Sequence, residues 1–288
     1  MKEIQTFKKG RTRKRKLSLH EIGKCHPRVK QHGPSKKRCL PTYVYKRITS
    51  KDRRKDNNPF IAVGCKEGED HCLLDKLTLP EDEKKNLRKT YLRPRIPKEW
   101  KSKPNTWLDN FNIQNVMKQY EDAYSPRFRF LGVFPIDFSS PNPYRKNGQT
   151  TCLNEEICKL NIIKEYKAGV RGIGMVFNLD PHYKGGSHWV GLYINLESIK
   201  QPIVGYFDSY GYEAPEMISR FMKSLTLQVK DCFLGYNGRR FQYGDSECGM
   251  FSMYFIICMI HGITFKDFCK DAVHDRSMLE LRSILFGH

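Results

Sequence analysis

Cys248 stands between a polar, glycine-containing turn and an apolar run in the stretch Q-Y-G-D-S-E-C-G-M-F-S-M-Y-F, residues 242–255. Tyr243-Gly244-Asp245-Ser246 predicts a turn with side chains able to cap a helix, and Gly249 to His261 predicts a nearly all-apolar helix. Cys248 then lies in the first turn of a buried helix, where backbone N–H groups and the helix dipole favour an anion. A thiolate held there is a nucleophile near neutral pH. A cysteine beside Met250 and Phe251 is also an ordinary small core hydrophobe, so other residues must decide.

Two of them stand upstream. Trp189 to Leu196 (W-V-G-L-Y-I-N-L) and Ile203 to Phe207 (I-V-G-Y-F) predict neighbouring strands separated by a polar turn at Glu197 to Pro202. His188 begins the first and Asp208 ends the second. In antiparallel neighbours those ends share one sheet edge, so the carboxylate reaches the imidazole. A carboxylate bonded to one ring nitrogen fixes the tautomer and leaves the other to face a nucleophile.

The elements that must position these residues begin near Thr106. Val116, Met117 and Tyr120 continue an apolar face at helical spacing, Phe128 to Phe138 alternates as a strand does, and Gly174 to Leu179 is a further short strand. Upstream, Leu73, Leu74, Leu77 and Leu79 with Pro80-Glu81-Asp82-Glu83 predict a small helical or irregular connector over 61–105, broken by Pro94, Pro97 and Pro104. Charge divides the chain differently. Residues 1–60 hold 20 Lys and Arg against 4 Asp and Glu, so most of the formal net charge of +20 sits there. That composition predicts a flexible basic arm able to make nonspecific nucleic-acid contacts.

No run of apolar residues is long enough for a membrane span, and the basic N-terminus lacks a signal-peptide core, which predicts a soluble, non-secreted protein. The ten cysteines form no compact framework and suit free thiols in a reducing compartment. Cys25, His26, His32 and Cys39, like Cys65, His71 and Cys72, depart from zinc-ligand spacing, so no metal site is read there.

The order His188-Trp189, Asp208 in Y-F-D-S-Y-G, and Gln242 six residues before Cys248 resembles the ubiquitin-like-protein-processing and adenovirus-type cysteine proteases. The ending Met278-Leu279-x-Leu281-Arg282-x-x-Leu285-Phe286 and the basic extension look most like the polyprotein-processing proteases of large DNA viruses. The resemblance spans about 106–288 and implies an α+β, papain-related catalytic domain, a mixed central sheet packed on a nucleophile-bearing helix. It makes Cys248 the nucleophile, His188 the base or imidazolium, Asp208 its orienter and Gln242 an oxyanion donor. Trp107 and Trp189 match an aromatic pair that roofs a tunnel passing only glycine. Cleavage after Gly-Gly or Gly-X-Gly sites follows, without a cofactor, in viral structural polyproteins of the host cytoplasm and virion. Asn110 replaces an aspartate common three positions after that tryptophan, which favours viral maturation over the alternative, ubiquitin-like or SUMO-type deconjugation. An acetyltransferase has no visible acyl-CoA feature here, and a purely nucleic-acid-binding protein gives no reason for the ordered His, Asp, Gln and Cys.

Overall fold

The computed structural model describes residues 3–7, 17–30, 38–48, 56–144 and 152–288. Six strands form one mixed sheet: β1 (Gln5–Phe7), β2 (Phe128–Pro135), β3 (Gly172–Asn178), β4 (Trp189–Asn195), β5 (Ile203–Phe207) and β6 (Phe233–Asn237), in the order β1-β6-β5-β4-β3-β2. β3, β4 and β5 are antiparallel neighbours, and the outer pairings are parallel. The pairing of Gly191 with Phe207 puts the start of β4 beside the end of β5, as the sequence predicts.

Period-two alternation divides the side chains between two cores. Val190, Leu192, Ile194, Val204 and Tyr206 enter one, covered by helix Glu216–Leu225, whose Ile218, Met222 and Leu225 are buried. Trp189, Tyr193 and Phe207 point to the other face, against helices Asn110–Tyr124 and Cys248–Ile260. The second of these helices is apolar on every side because it is enclosed on every side; Cys248 to Met259 are all buried. It lies close on the sheet where side chains are missing. A Cβ on Gly191 would meet the Phe255 ring at 3.0 Å, and one on Gly174 would meet Ile256 at 2.9 Å.

The first sixty residues, expected as a flexible arm, are folded where they are described. β1 pairs with β6, and Val44, Tyr45, Ile48 and Phe60 join Leu73, Leu74, Leu87 and Leu92 in a third apolar cluster. These few apolar residues are too sparse to order themselves, but they share a core with the next segment. The basic runs 11–16 and 53–55, with Lys36 and Lys37, lie outside the described residues, and with them most of the expected nucleic-acid surface. The connector contains the helix expected after Pro80, Glu81–Tyr91.

Contacts cross the proline-rich segment 94–104 from both sides. Arg93 donates to the Ile22 carbonyl at 3.1 Å and the Tyr120 hydroxyl at 3.2 Å, and the Trp100 ring packs edge-on against Phe286 at 4.9 Å. The free-thiol expectation also fails for six cysteines: Cys25–Cys39, Cys65–Cys72 and Cys152–Cys158 are disulfides. Their short separations of 14, 7 and 6 residues make each a local staple, which is why they leave no framework visible along the chain. Cys232, Cys248, Cys258 and Cys269 are buried and form no disulfide among the described residues.

Candidate active site

Asp208 leaves β5 directly beneath the entry to β4. Its Oδ1 accepts from His188 Nε2 at 2.8 Å and from the Tyr210 backbone N–H at 2.8 Å. The backbone of Asp208 is held by the buried side chain of Asn237, which accepts from its N–H at 2.9 Å and donates to its carbonyl at 2.6 Å. Tyr210 stacks on the imidazole, ring centroids 4.9 Å apart. The ring of His188 therefore has one face covered and one nitrogen committed.

The remaining nitrogen, Nδ1, is the one available to Cys248, whose sulfur hydrogen-bonds the His188 side chain. Burial works against a charged imidazole here. The bonds to Asp208 and Cys248 and the negative charge of both outweigh it, and hold the His188 pKa at about 9, above its ordinary 6.5. An imidazolium at neutral pH beside a sulfur is the arrangement of an ion-pair nucleophile.

Cys248 is the first residue of its helix, where N–H groups have no intrahelical acceptor. The expected capping by the turn 243–246 does not occur; Glu247 is the N-cap residue and makes no side-chain cap bond. Its carboxylate turns away to Arg282, whose Nε lies 3.0 and 2.8 Å from the two oxygens, both side chains being buried. Arg282 also donates to the carbonyls of Thr106 at 2.8 Å and Ser246 at 3.3 Å, and lies 4.4 Å over the Trp100 ring. Backbone on both sides of the site, at Ser246-Glu247 and at Thr106, is thus anchored to one guanidinium.

Gln242 is fully buried. Its Oε1 accepts from the Ser209 hydroxyl at 2.7 Å, and its Nε2 donates to the Gly244 carbonyl at 2.9 Å. Since a carbonyl only accepts, this pair of bonds fixes which end of the amide is nitrogen and leaves it a second N–H. The turn after Gln242 is held by Asp275, whose Oδ2 accepts from the N–H groups of Tyr243 and Gly244 at 2.9 and 3.1 Å.

Trp107 and Trp189 both line one cleft of about 450 Å³, with Asn110, Asn178 and His182 among its walls. Trp189 is buried and donates its indole N–H to the Leu108 carbonyl at 2.9 Å, whereas Trp107 is 47% exposed. Gly249, next to the candidate nucleophile, sits against this wall: a Cβ there would meet Leu108 at 2.9 Å and the Trp189 ring at 3.2 Å.

All four predicted catalytic side chains and both tryptophans thus belong to one region. Sequence reasoning missed Asn237, Tyr210, Ser209 and the Glu247–Arg282 pair. Ser209 and Tyr210 stood inside Y-F-D-S-Y-G, and Glu247 and Arg282 inside quoted motifs, so adjacency was the available signal. Asn237 had none, being 29 residues from Asp208 and paired with it only by the sheet.

Residues 173–285 match the model of the Ulp1 protease family, C-terminal catalytic domain. The chain is 29% identical over 196 residues to a relative named as a thiol protease in Acanthamoeba polyphaga mimivirus, covering 65% of this chain and 59% of that protein. It therefore spans about three-fifths of that relative's length. A cysteine protease of African swine fever virus is 23% identical over 186 residues, 62% of this chain and 67% of that protein. In fold, the crystal structure of an African swine fever virus protease superposes with a TM-score of 0.67 at 20% sequence identity, over 92% of this chain and 96% of that one.

Proposed function

We propose that the chain, whose residues 173–285 match the Ulp1-type catalytic domain and which is similar to thiol proteases of large DNA viruses, is a cysteine endopeptidase that cleaves after Gly-Gly or Gly-X-Gly sequences in viral structural polyproteins. The observation that carries the chemistry is the bond of His188 Nε2 to Asp208 with the second ring nitrogen given to Cys248. The imidazolium stabilises the thiolate, which attacks the scissile carbonyl carbon. The oxyanion that forms takes hydrogen bonds from the Cys248 backbone N–H and the second N–H of Gln242. His188 gives its proton to the leaving amine as the C–N bond breaks, producing an acyl-enzyme. Neutral His188 then takes a proton from water, whose oxygen attacks the thioester and releases the acid. The papain-like order of parts, a helix carrying the thiol against a sheet carrying the acid and base, suits this sequence of steps.

Glycine selectivity rests on the Trp107–Trp189 cleft, whose wall residues Leu108 and Trp189 leave no room for a Cβ at Gly249. Asn110 lines the same cleft, and maturation of virion proteins in the host cytoplasm and virion remains the biological setting of the proposal. Wild-type enzyme should cut Gly-Gly-containing peptides and Cys248→Ala should not, with unchanged circular dichroism. Turnover by the alanine variant would refute the nucleophile; reaction only with a ubiquitin-like C-terminal probe would move the substrate to a conjugated modifier.

A further inference from the structure

A second, shallow and open depression beside the imidazole shares no lining residue with the tryptophan cleft. Its walls are Tyr210, Tyr212, Tyr243, Arg240 and Asp245. His188 adjoins both: its neighbour Trp189 lines the first, and its ring stacks on Tyr210, which lines the second. We propose that this basin is the subsite for the leaving side of the substrate and takes an aromatic side chain at one of the first two positions past the cut.

The walls are fixed before any substrate arrives. The Gly244 carbonyl accepts from both the Tyr210 hydroxyl, at 3.0 Å, and the Gln242 amide, so basin and oxyanion donor share one backbone anchor. Arg240 bonds the Gln242 carbonyl through Nε at 2.6 Å, and its guanidinium lies 5.2 Å from the Tyr210 ring and 4.9 Å from the Tyr243 ring. Tyr212 and Tyr243 are nonetheless 69% and 70% exposed, with ring surface turned to solvent.

The chemistry of the walls selects the occupant. One arginine against one aspartate leaves no net charge to favour a lysine or glutamate side chain. What remains is ring faces and a guanidinium plane, which attract an aromatic ring by stacking and cation–π contact. The location selects the substrate segment: with the acyl part of the peptide beside the tryptophans, the chain past the scissile bond runs over His188 toward Tyr210. This assignment rests on the proposed peptidase reading.

Digestion of a proteome-derived peptide library by the full chain, with sequencing of both products of each cut, separates the two ideas. Glycines before the cut support the peptidase specificity, and Phe, Tyr or Trp enriched about threefold to tenfold within two residues after it supports the basin. Tyr212→Ala, at an exposed position, should flatten that enrichment, and Tyr243→Ala should do so independently. A flat or charge-enriched distribution after the cut overturns the basin whatever precedes the cut, as does an aromatic preference that survives both substitutions. No cleavage at all overturns both.

Discussion

Arg282, on the helix Asp275–Leu285, holds both carboxylate oxygens of Glu247, the residue immediately before Cys248. The pair is nearly dry, and the same guanidinium reaches the carbonyl of Thr106, beside the first tryptophan. One cation therefore ties the nucleophile's entry turn to the wall of the tryptophan cleft. Removing it leaves a buried carboxylate without its partner. Arg282→Met should cost about 3–5 kcal/mol of stability, read from urea unfolding. Glu247→Met in the same chain should recover much of that loss, because neither charge is then buried alone. A single variant as stable as wild type would sink this account.

The pH dependence follows from the raised pKa of His188. Its imidazolium is favoured in the folded site up to about pH 9, so the charge pair with Asp208 is present below that value and is lost as pH rises through it. kcat/KM should fall on the alkaline side near pH 9. Asp208→Asn removes the anion that holds the proton, and the alkaline limb should move toward lower pH. Peptide hydrolysis followed from pH 5 to 10 in both proteins checks the direction; an unmoved limb would mean that another group titrates there.

Gln242 tests a different part of the mechanism. Its carbonyl oxygen is engaged by Ser209 and one amide hydrogen by Gly244, which holds the second hydrogen in place. If that hydrogen meets charge only as the tetrahedral intermediate forms, Gln242→Ala lowers kcat by about 10²–10³ and leaves KM nearly unchanged. A rise in KM alone would instead make Gln242 a ground-state contact.

Gly249 offers a steric test of the tryptophan cleft. A methyl group there would lie 2.9 Å from Leu108 and 3.2 Å from Trp189, both part of the cleft wall, so a neighbour has to move. Gly249→Ala is expected to destabilise by about 1–3 kcal/mol and to reduce cleavage of Gly-Gly peptides more than it reduces alkylation of Cys248. Equal losses in the two reactions would place the damage at the nucleophile itself.

Much of this site could be read along the chain because its parts are local. Strands Trp189–Asn195 and Ile203–Phe207 and the helix from Cys248 each carry a complete hydrophobic signature, and antiparallel adjacency brings His188 and Asp208 together without further information. The arrangement around them is not local. Asn237 reaches Asp208 only because parallel β6 lies next to β5, and Arg282 reaches Glu247 across 35 residues. The described part of the first sixty residues departs from expectation for a related reason: composition judges a segment by its own apolar content, but Val44 and Tyr45 are buried against Leu73, Leu74 and Leu87, which belong to the next segment. A basic segment needs no core of its own when it can complete a neighbour's.

The cysteines provide the last test, since expectation and structure differ most there. Cys25–Cys39, Cys65–Cys72 and Cys152–Cys158 are linked, so peptide mapping of unreduced protein should recover those three pairs. Among the free thiols, burial pushes Cys258 well above its ordinary range and Cys269 up to about 12, so both keep their protons at neutral pH. Cys248, by contrast, is hydrogen-bonded to an imidazole held in its charged form. A small alkylating reagent at pH 6 should therefore modify Cys248 well before Cys258 and Cys269 in the native protein. His188→Ala should remove that advantage while leaving the three linkages intact. Equal labelling of the buried thiols in native enzyme would show that the imidazole does not activate the sulfur, and the ion-pair mechanism would fail at its first step.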